Sequence, residues 1–169
     1  MLANAVVDKR EAVRERCLVF PEVEAMAAGA AGFSSSHSPT DLDMEDRPVP
    51  SRLATLEELE ALCVAVGESQ RGSIAYLPKT AVGGMQPEDG DLLIRLALTS
   101  RLPVIIQGLG ARSKADAPTA TWPESKAYLE RARKLGAGVY SMLISRPFKR
   151  PFSLANGTTM FEGALAFNR

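Results

Sequence analysis

The chain has 169 residues, and its 20 basic side chains balance its 20 acidic ones. That length suits one domain with a real core, and the balanced charge offers no bulk field for nucleic acid or a membrane surface. The apolar runs are far shorter than a bilayer span, and charged residues stand where a signal peptide would be apolar, so the expectation is a cytoplasmic protein.

The first residues, "MLANAVVDKREAVRERCLVF", are helical in composition with no strand before them, and residues 1–24 are read as a separate helical segment. "GAAGFSSS" (29–36) predicts the first strand, and a polar, proline-rich loop follows it. In "TLEELEALCVAVG", Thr55 and Glu58 have the spacing of a capping box, and Leu56, Leu59, Leu62, Cys63 and Val66 share a face. "SIAYLP" predicts a short strand closed by Pro78, and "PEDGDLLIRLALTS" a helix opening on Pro87 and acidic residues.

"LPVIIQGLG" is the most strand-like run. Its successive Val104, Ile105 and Ile106 point to burial on both faces, as in a parallel sheet. "TWPESKAYLERARKLG" predicts a last helix, with Thr121 and Glu124 as another capping box and Gly136 as its stop. "GVYSMLIS" closes the series as a strand. Strand starts near Phe33, Ile74, Val104 and Val139 recur at roughly thirty to forty residues, the spacing of repeated βαβ units. Four such strands with their helices fit either a small doubly wound sheet or half of an eight-stranded barrel, and the chain is too short for a whole barrel. The abrupt ends favour a piece of a longer barrel.

Parallel α/β proteins place their chemistry where strands end. Here that gives Ser34, Ser35, Ser36 and His37 after the first strand, Gln107, Arg112 and Lys114 after the third, and Ser145 and Arg146 after the fourth. These residues either line one mouth or are simply the polar residues such loops carry. His37 is the only histidine, and Cys17 and Cys63 form no CxxC, so the chain alone makes a poor zinc site. A structural hydrogen-bonding role suits His37 better than a general base. Cys63 reads as a small core residue, and Asp41, Asp43, Glu45 and Asp46 as a solvated acidic face. "GLGARSK" (108–114) matches neither GxxxxGK[ST] nor GxGxxG, and the next helix starts too late to close on a phosphate. Arg146, Lys149 and Arg150 in "RPFKRPF" are either forked donors for a carboxylate or surface cations.

At "GAAGFSSSHSPT", "RPVPSRLATLEELEAL", "VIIQGLGARSKADAPTATWPESKAYL" and "SRPFKRPFSLANGTTMFEGALAFNR" the sequence resembles the N-acyl-D-amino-acid deacylase branch of the metal-dependent amidohydrolases. The likeness runs from about Ala25 to the end. It implies a partial (β/α)8 TIM barrel over residues 25–169, about four parallel strands with intervening helices, as strands four to seven of the full barrel. It also implies one or two divalent metals, usually zinc, in the full-length relative, and water attack on a linear amide carbon–nitrogen bond of an N-acyl amino acid or similar small molecule. The family's histidine pair would lie before Met1 and its catalytic aspartate after Arg169. Two further histidines of the family, ending its fifth and sixth strands, are absent here, where Tyr76 and Gln107 fall in the corresponding regions.

The expectation is therefore a fragment in which Ser35, His37, Gln107, Arg112 and Arg146 shape the substrate side of the mouth, with no catalytic residue and no tightly held metal. No nucleic-acid or membrane partner is expected. The competing readings are a non-catalytic binding or assembly protein that self-associates through open sheet edges, and an inactive truncated product.

Overall fold

The computed structural model describes residues 20–45, 47–81, 85–107 and 122–142. Four strands, β1 (Gly32–Ser36), β2 (Ser73–Leu77), β3 (Val104–Ile106) and β4 (Val139–Ser141), lie in chain order in one sheet. Every neighbouring pair is parallel. Helices α1 (Phe20–Ala27), α2 (Leu56–Gly67), α3 (Pro87–Ser100) and α4 (Trp122–Lys134) alternate with them, and a 3₁₀ turn (Pro50–Leu53) precedes α2. None of the helices among the described residues is long and apolar enough to cross a membrane.

Local chemistry explains why the helices begin where they do. The Thr55 hydroxyl accepts the Glu58 amide, and the Glu58 carboxylate accepts the Thr55 amide, each at 3.2 Å, which is the expected capping box. Pro87 opens α3, with Glu88 and Asp89 in its first turn facing the positive end of the helix dipole. α4 starts at Trp122 as the pattern predicts; Thr121 lies outside the described residues. Gly136 ends it at φ +74°, a left-handed turn that a glycine takes without strain. The end of α3 carries no such signal, and Arg101 itself adopts the left-handed cap at φ 59°.

A sheet whose order follows the chain, joined by right-handed crossovers, must carry its helices on one face. The burial pattern agrees. Ile74, Tyr76, Val104, Ile106 and Val139 are buried in one cluster with Leu59, Cys63 and Val66 of α2 and Leu92, Leu93 and Leu96 of α3. The alternate residues Ala75, Leu77 and Ile105 are only half-buried, and Tyr140 is 59% exposed. Two strand faces with such different burial depart from the expectation, based on Val104–Ile106, that both would be covered. α1 crosses the expected boundary at residue 24 and delivers Met26 to the core, so its second half belongs to the same body as the sheet.

Gly67 has a packing reason beyond its place at the end of α2. A Cβ there would stand 2.1 Å from the Ser100 carbonyl oxygen, so the C-terminal ends of α2 and α3 touch backbone to backbone. Arg95 reaches Glu60 at 2.6 Å across the same pair of helices, and Arg131 of α4 pairs with Asp91 of α3. Both pairs are half-exposed, which limits each to roughly 0–1 kcal/mol.

Leu93 is fully buried at the centre of the cluster. Leu93→Ala is expected to cost about 2–5 kcal/mol and Thr55→Ala about 1 kcal/mol, read from urea unfolding midpoints. Equal losses at the two positions would contradict this layering.

Candidate functional site

The described polar residues converge where β1 and β2 end. The parallel register sets Ser35 beside Tyr76 and Ser36 beside Leu77. His37 extends the ladder by one step, its amide donating to the Leu77 carbonyl at 2.9 Å. Strand alternation therefore turns Ser35, His37 and Tyr76 toward the helical layer.

There the His37 ring is held from both sides. Its Nε2 lies 3.0 Å from the Ala54 carbonyl oxygen and its Nδ1 2.5 Å from the Tyr76 hydroxyl. A carbonyl can only accept, so Nε2 carries the proton and Nδ1 accepts from Tyr76, a tautomer assigned from the hydrogen-bond network. The phenol of Tyr76 suits that role. Burial pushes its pKa well above the usual tyrosine value, the negative charge of Asp89 adds to this, and the proton stays on the oxygen. The two rings also meet edge to face, with centroids 5.6 Å apart.

A second anchor lies beside the first. The Asp89 Oδ2 accepts the Thr80 amide at 2.8 Å and also the Thr80 hydroxyl. The Thr80 oxygen in turn accepts the Gln86 amide at 2.9 Å. These bonds tie the segment after β2 to the first turn of α3. Between the anchors, the 3₁₀ turn and α3 lies a cleft of about 690 Å³, bordered by His37, Arg52, Tyr76, Lys79, Asp89 and Arg95 among others. Both signs of charge stand around it. The volume lies within the range of small-molecule clefts.

Of the five predicted site residues, Ser35 and His37 share the helix-side face of β1. Gln107 follows buried Ile106 by one position and is exposed; alternation groups it with Ile105 on the other face of the sheet. Arg112 and Arg146 lie outside the described residues, as do the "GLGARSK" loop, Ser145, Lys149 and Arg150. Sequence reasoning missed the Tyr76 hydroxyl as the partner of His37, the Ala54 carbonyl, and the Thr80–Asp89 pair. No local pattern marks them, since His37 and Tyr76 lie in different βα units.

The described residues do not suit the metal that the resemblance implies. Both nitrogens of His37 are engaged, and Cys63 is fully buried with its thiol pushed up to about 12 by burial and the nearby Glu60 charge. Among the described residues no three His, Cys, Asp or Glu side chains gather as a metal-binding group. The acidic run works as turn chemistry. Asp43 accepts the Arg47 amide at 2.9 Å, the Arg47 Nε at 2.8 Å and the Glu45 amide at 2.9 Å, and these bonds hold its carboxyl below the usual range. Asp46 lies outside the described residues. The chain matches no protein-family model, no curated protein and no solved structure.

Two measurements probe this corner. His37→Ala strands the Tyr76 hydroxyl and the Ala54 carbonyl, at an expected cost of about 1–3 kcal/mol in urea unfolding, and Tyr76→Phe loses about 1 kcal/mol. A neutral result for both would show that the ring clamp holds nothing. Cys63 supplies a pH test. The folded thiol ionises near 12 and the free thiol near 9.0, so ionisation favours the unfolded chain. Stability should be level below pH 9.0 as far as this group is concerned, and fall as pH rises from there toward 12. Cys63→Ala should remove part of that fall; Tyr76 and Tyr128, both shifted upward, supply loss of the same sign.

Proposed function

We propose that the chain is a section of an amidohydrolase-type barrel of the N-acyl-D-amino-acid deacylase kind, supplying the substrate side of the mouth and not the metal. The observation that carries this reading is the order of the sheet. Four parallel strands run in chain order with all their helices on one face, which is how a barrel wall is wound, whereas a doubly wound sheet reverses its order partway. The quoted stretches from Ala25 onward add the sequence resemblance. The ligand is a small N-acyl amino acid or a similar amide. Ser35, His37, Gln107, Arg112 and Arg146 are the proposed substrate-side residues, Gln107 standing on the other face of the sheet from Ser35 and His37, and the arginines are suited to grip a carboxylate with paired N–H donors.

In this reading His37 is a positioning residue. Its ring holds the 3₁₀ turn through Ala54 against β2 through Tyr76, and so sets the wall on which the neighbouring polar groups stand. The bond-breaking chemistry of the full-length relative depends on a metal-activated water. The described residues do not fit that metal, so no hydrolytic step is assigned to them.

Calorimetric titration of the chain with an N-acetyl-D-amino acid and with its L enantiomer tests the proposal, alongside a free-amine assay with and without added zinc. Binding that prefers the D form, with no amine released, is expected. Arg146→Ala should weaken binding roughly tenfold or more, in line with loss of a charged hydrogen bond. Turnover by the unaided chain, or no binding of either enantiomer, would overturn it.

A further inference from the structure

The cleft between the 3₁₀ turn and α3 is neutral as a whole, yet its charges are not all matched. Three cations, Arg52, Lys79 and Arg95, and three anions, Glu88, Asp89 and Asp91, border it. Half of these are engaged. Arg95 pairs with Glu60 at 2.6 Å and Asp91 with Arg131, and neither partner lines the cleft. Asp89 holds the amide and the hydroxyl of Thr80.

Three charges are left open. Arg52 is half-buried, yet no carboxylate among the described residues meets it, and its guanidinium gives one N–H to the Asp41 carbonyl at 3.3 Å. A guanidinium drawn partly out of water ordinarily finds a carboxylate or phosphate to accept its forked donors. The side chains of Lys79 and Glu88 are exposed and have no hydrogen-bond or ion-pair partner among the described residues. The cleft thus offers two open cations and one open anion.

These three groups come from different elements, and the backbone beside each is anchored. Arg52 lies two residues before Ala54, whose carbonyl accepts from the His37 ring. Lys79 precedes Thr80 and Glu88 precedes Asp89, the two ends of the second anchor. Backbone held in this way limits the ordering that a ligand must impose when it binds. Pro39 and Leu56 add apolar surface to the same cleft, Leu56 being 45% exposed.

We infer that this cleft binds a free apolar amino acid as its zwitterion, the carboxylate on Arg52 and Lys79, the ammonium toward Glu88, and the side chain against Leu56 and Pro39. A neutral cleft with open charges of both signs favours a ligand that is neutral and carries both. A phosphate would bring two negative charges beside Glu88 and Asp89, and an N-acyl amino acid lacks the ammonium. At about 690 Å³ the cleft takes such a molecule together with bridging waters.

Titration of the isotope-labelled full chain, followed by amide-resolved NMR, tests this with D-leucine and L-leucine separately. Saturable shifts at the Ala54, Lys79 and Glu88 amides are expected for at least one of them, with a dissociation constant on the order of 1 mM or tighter. Isocaproate, which lacks the ammonium, and isoamylamine, which lacks the carboxylate, should each bind more weakly. Arg52→Met should weaken leucine roughly tenfold or more and isocaproate likewise. Glu88→Gln, at an exposed position, should weaken leucine about threefold or more and leave isocaproate unchanged. The inference is overturned by an absence of saturation with either enantiomer, by shifts confined to other amides, or by a truncated analogue that binds as tightly as leucine. Wild-type affinity in both variants would sink it too. Should Arg52→Met lose its helical circular dichroism, Glu88→Gln and the ligand series still decide. The inference does not rest on the amidohydrolase reading: a chain that binds leucine and no N-acetyl amino acid upholds the first and refutes the second, and the converse result does the reverse.

Discussion

The parallel pairing of β1 with β2 is the constraint from which the rest of the described structure follows. It runs residue by residue from Gly32 and Ser73 to Ser36 and Leu77, and it extends one step further through the His37 amide. A shift of one residue would send Ile74 and Tyr76 to the open face and Ala75 to the core. It would also separate His37 from the only phenol that can donate to it at this corner. Core and candidate site therefore share one register.

That register also explains why the sole histidine is a brace. A general base or metal ligand needs a free ring nitrogen facing a cavity. His37 spends one nitrogen on a backbone carbonyl and the other on a buried hydroxyl, and the Tyr76 oxygen keeps its proton because the surroundings disfavour a phenolate. Thr80 and Asp89 do the matching task on the next loop. Together they hold the strand ends and the start of α3 as a rigid rim. Each of these bonds joins one protein group to another across the corner.

The sheet has one dry face under helices and one face of small and apolar residues. Every strand lies in chain order, so the helical layer cannot cover both sides. The asymmetry gives the fold two distinct surfaces, a helix-side corner with mixed charges and an uncharged strand face.

Much of the architecture was legible from residue patterns alone, because it depends on near neighbours. The capping box at Thr55 and Glu58, Pro87 at the head of α3, the Gly136 stop and the βαβ spacing each act within a few residues of the chain or within one unit. Cys63 could be assigned to the core from helical periodicity. The left-handed Arg101 could not be foreseen, since no glycine or asparagine marks it. Nor could the partial exposure of Ile105, because a run of apolar residues does not say how many layers cover it. The Tyr76–His37 bond and the separation of Gln107 from His37 arose only when parallel strands were placed side by side. The sequence by itself determined the elements, through caps, breakers and periodicity over a few residues. Register and facing were decided by the tertiary structure, because both depend on contacts between segments thirty or more residues apart.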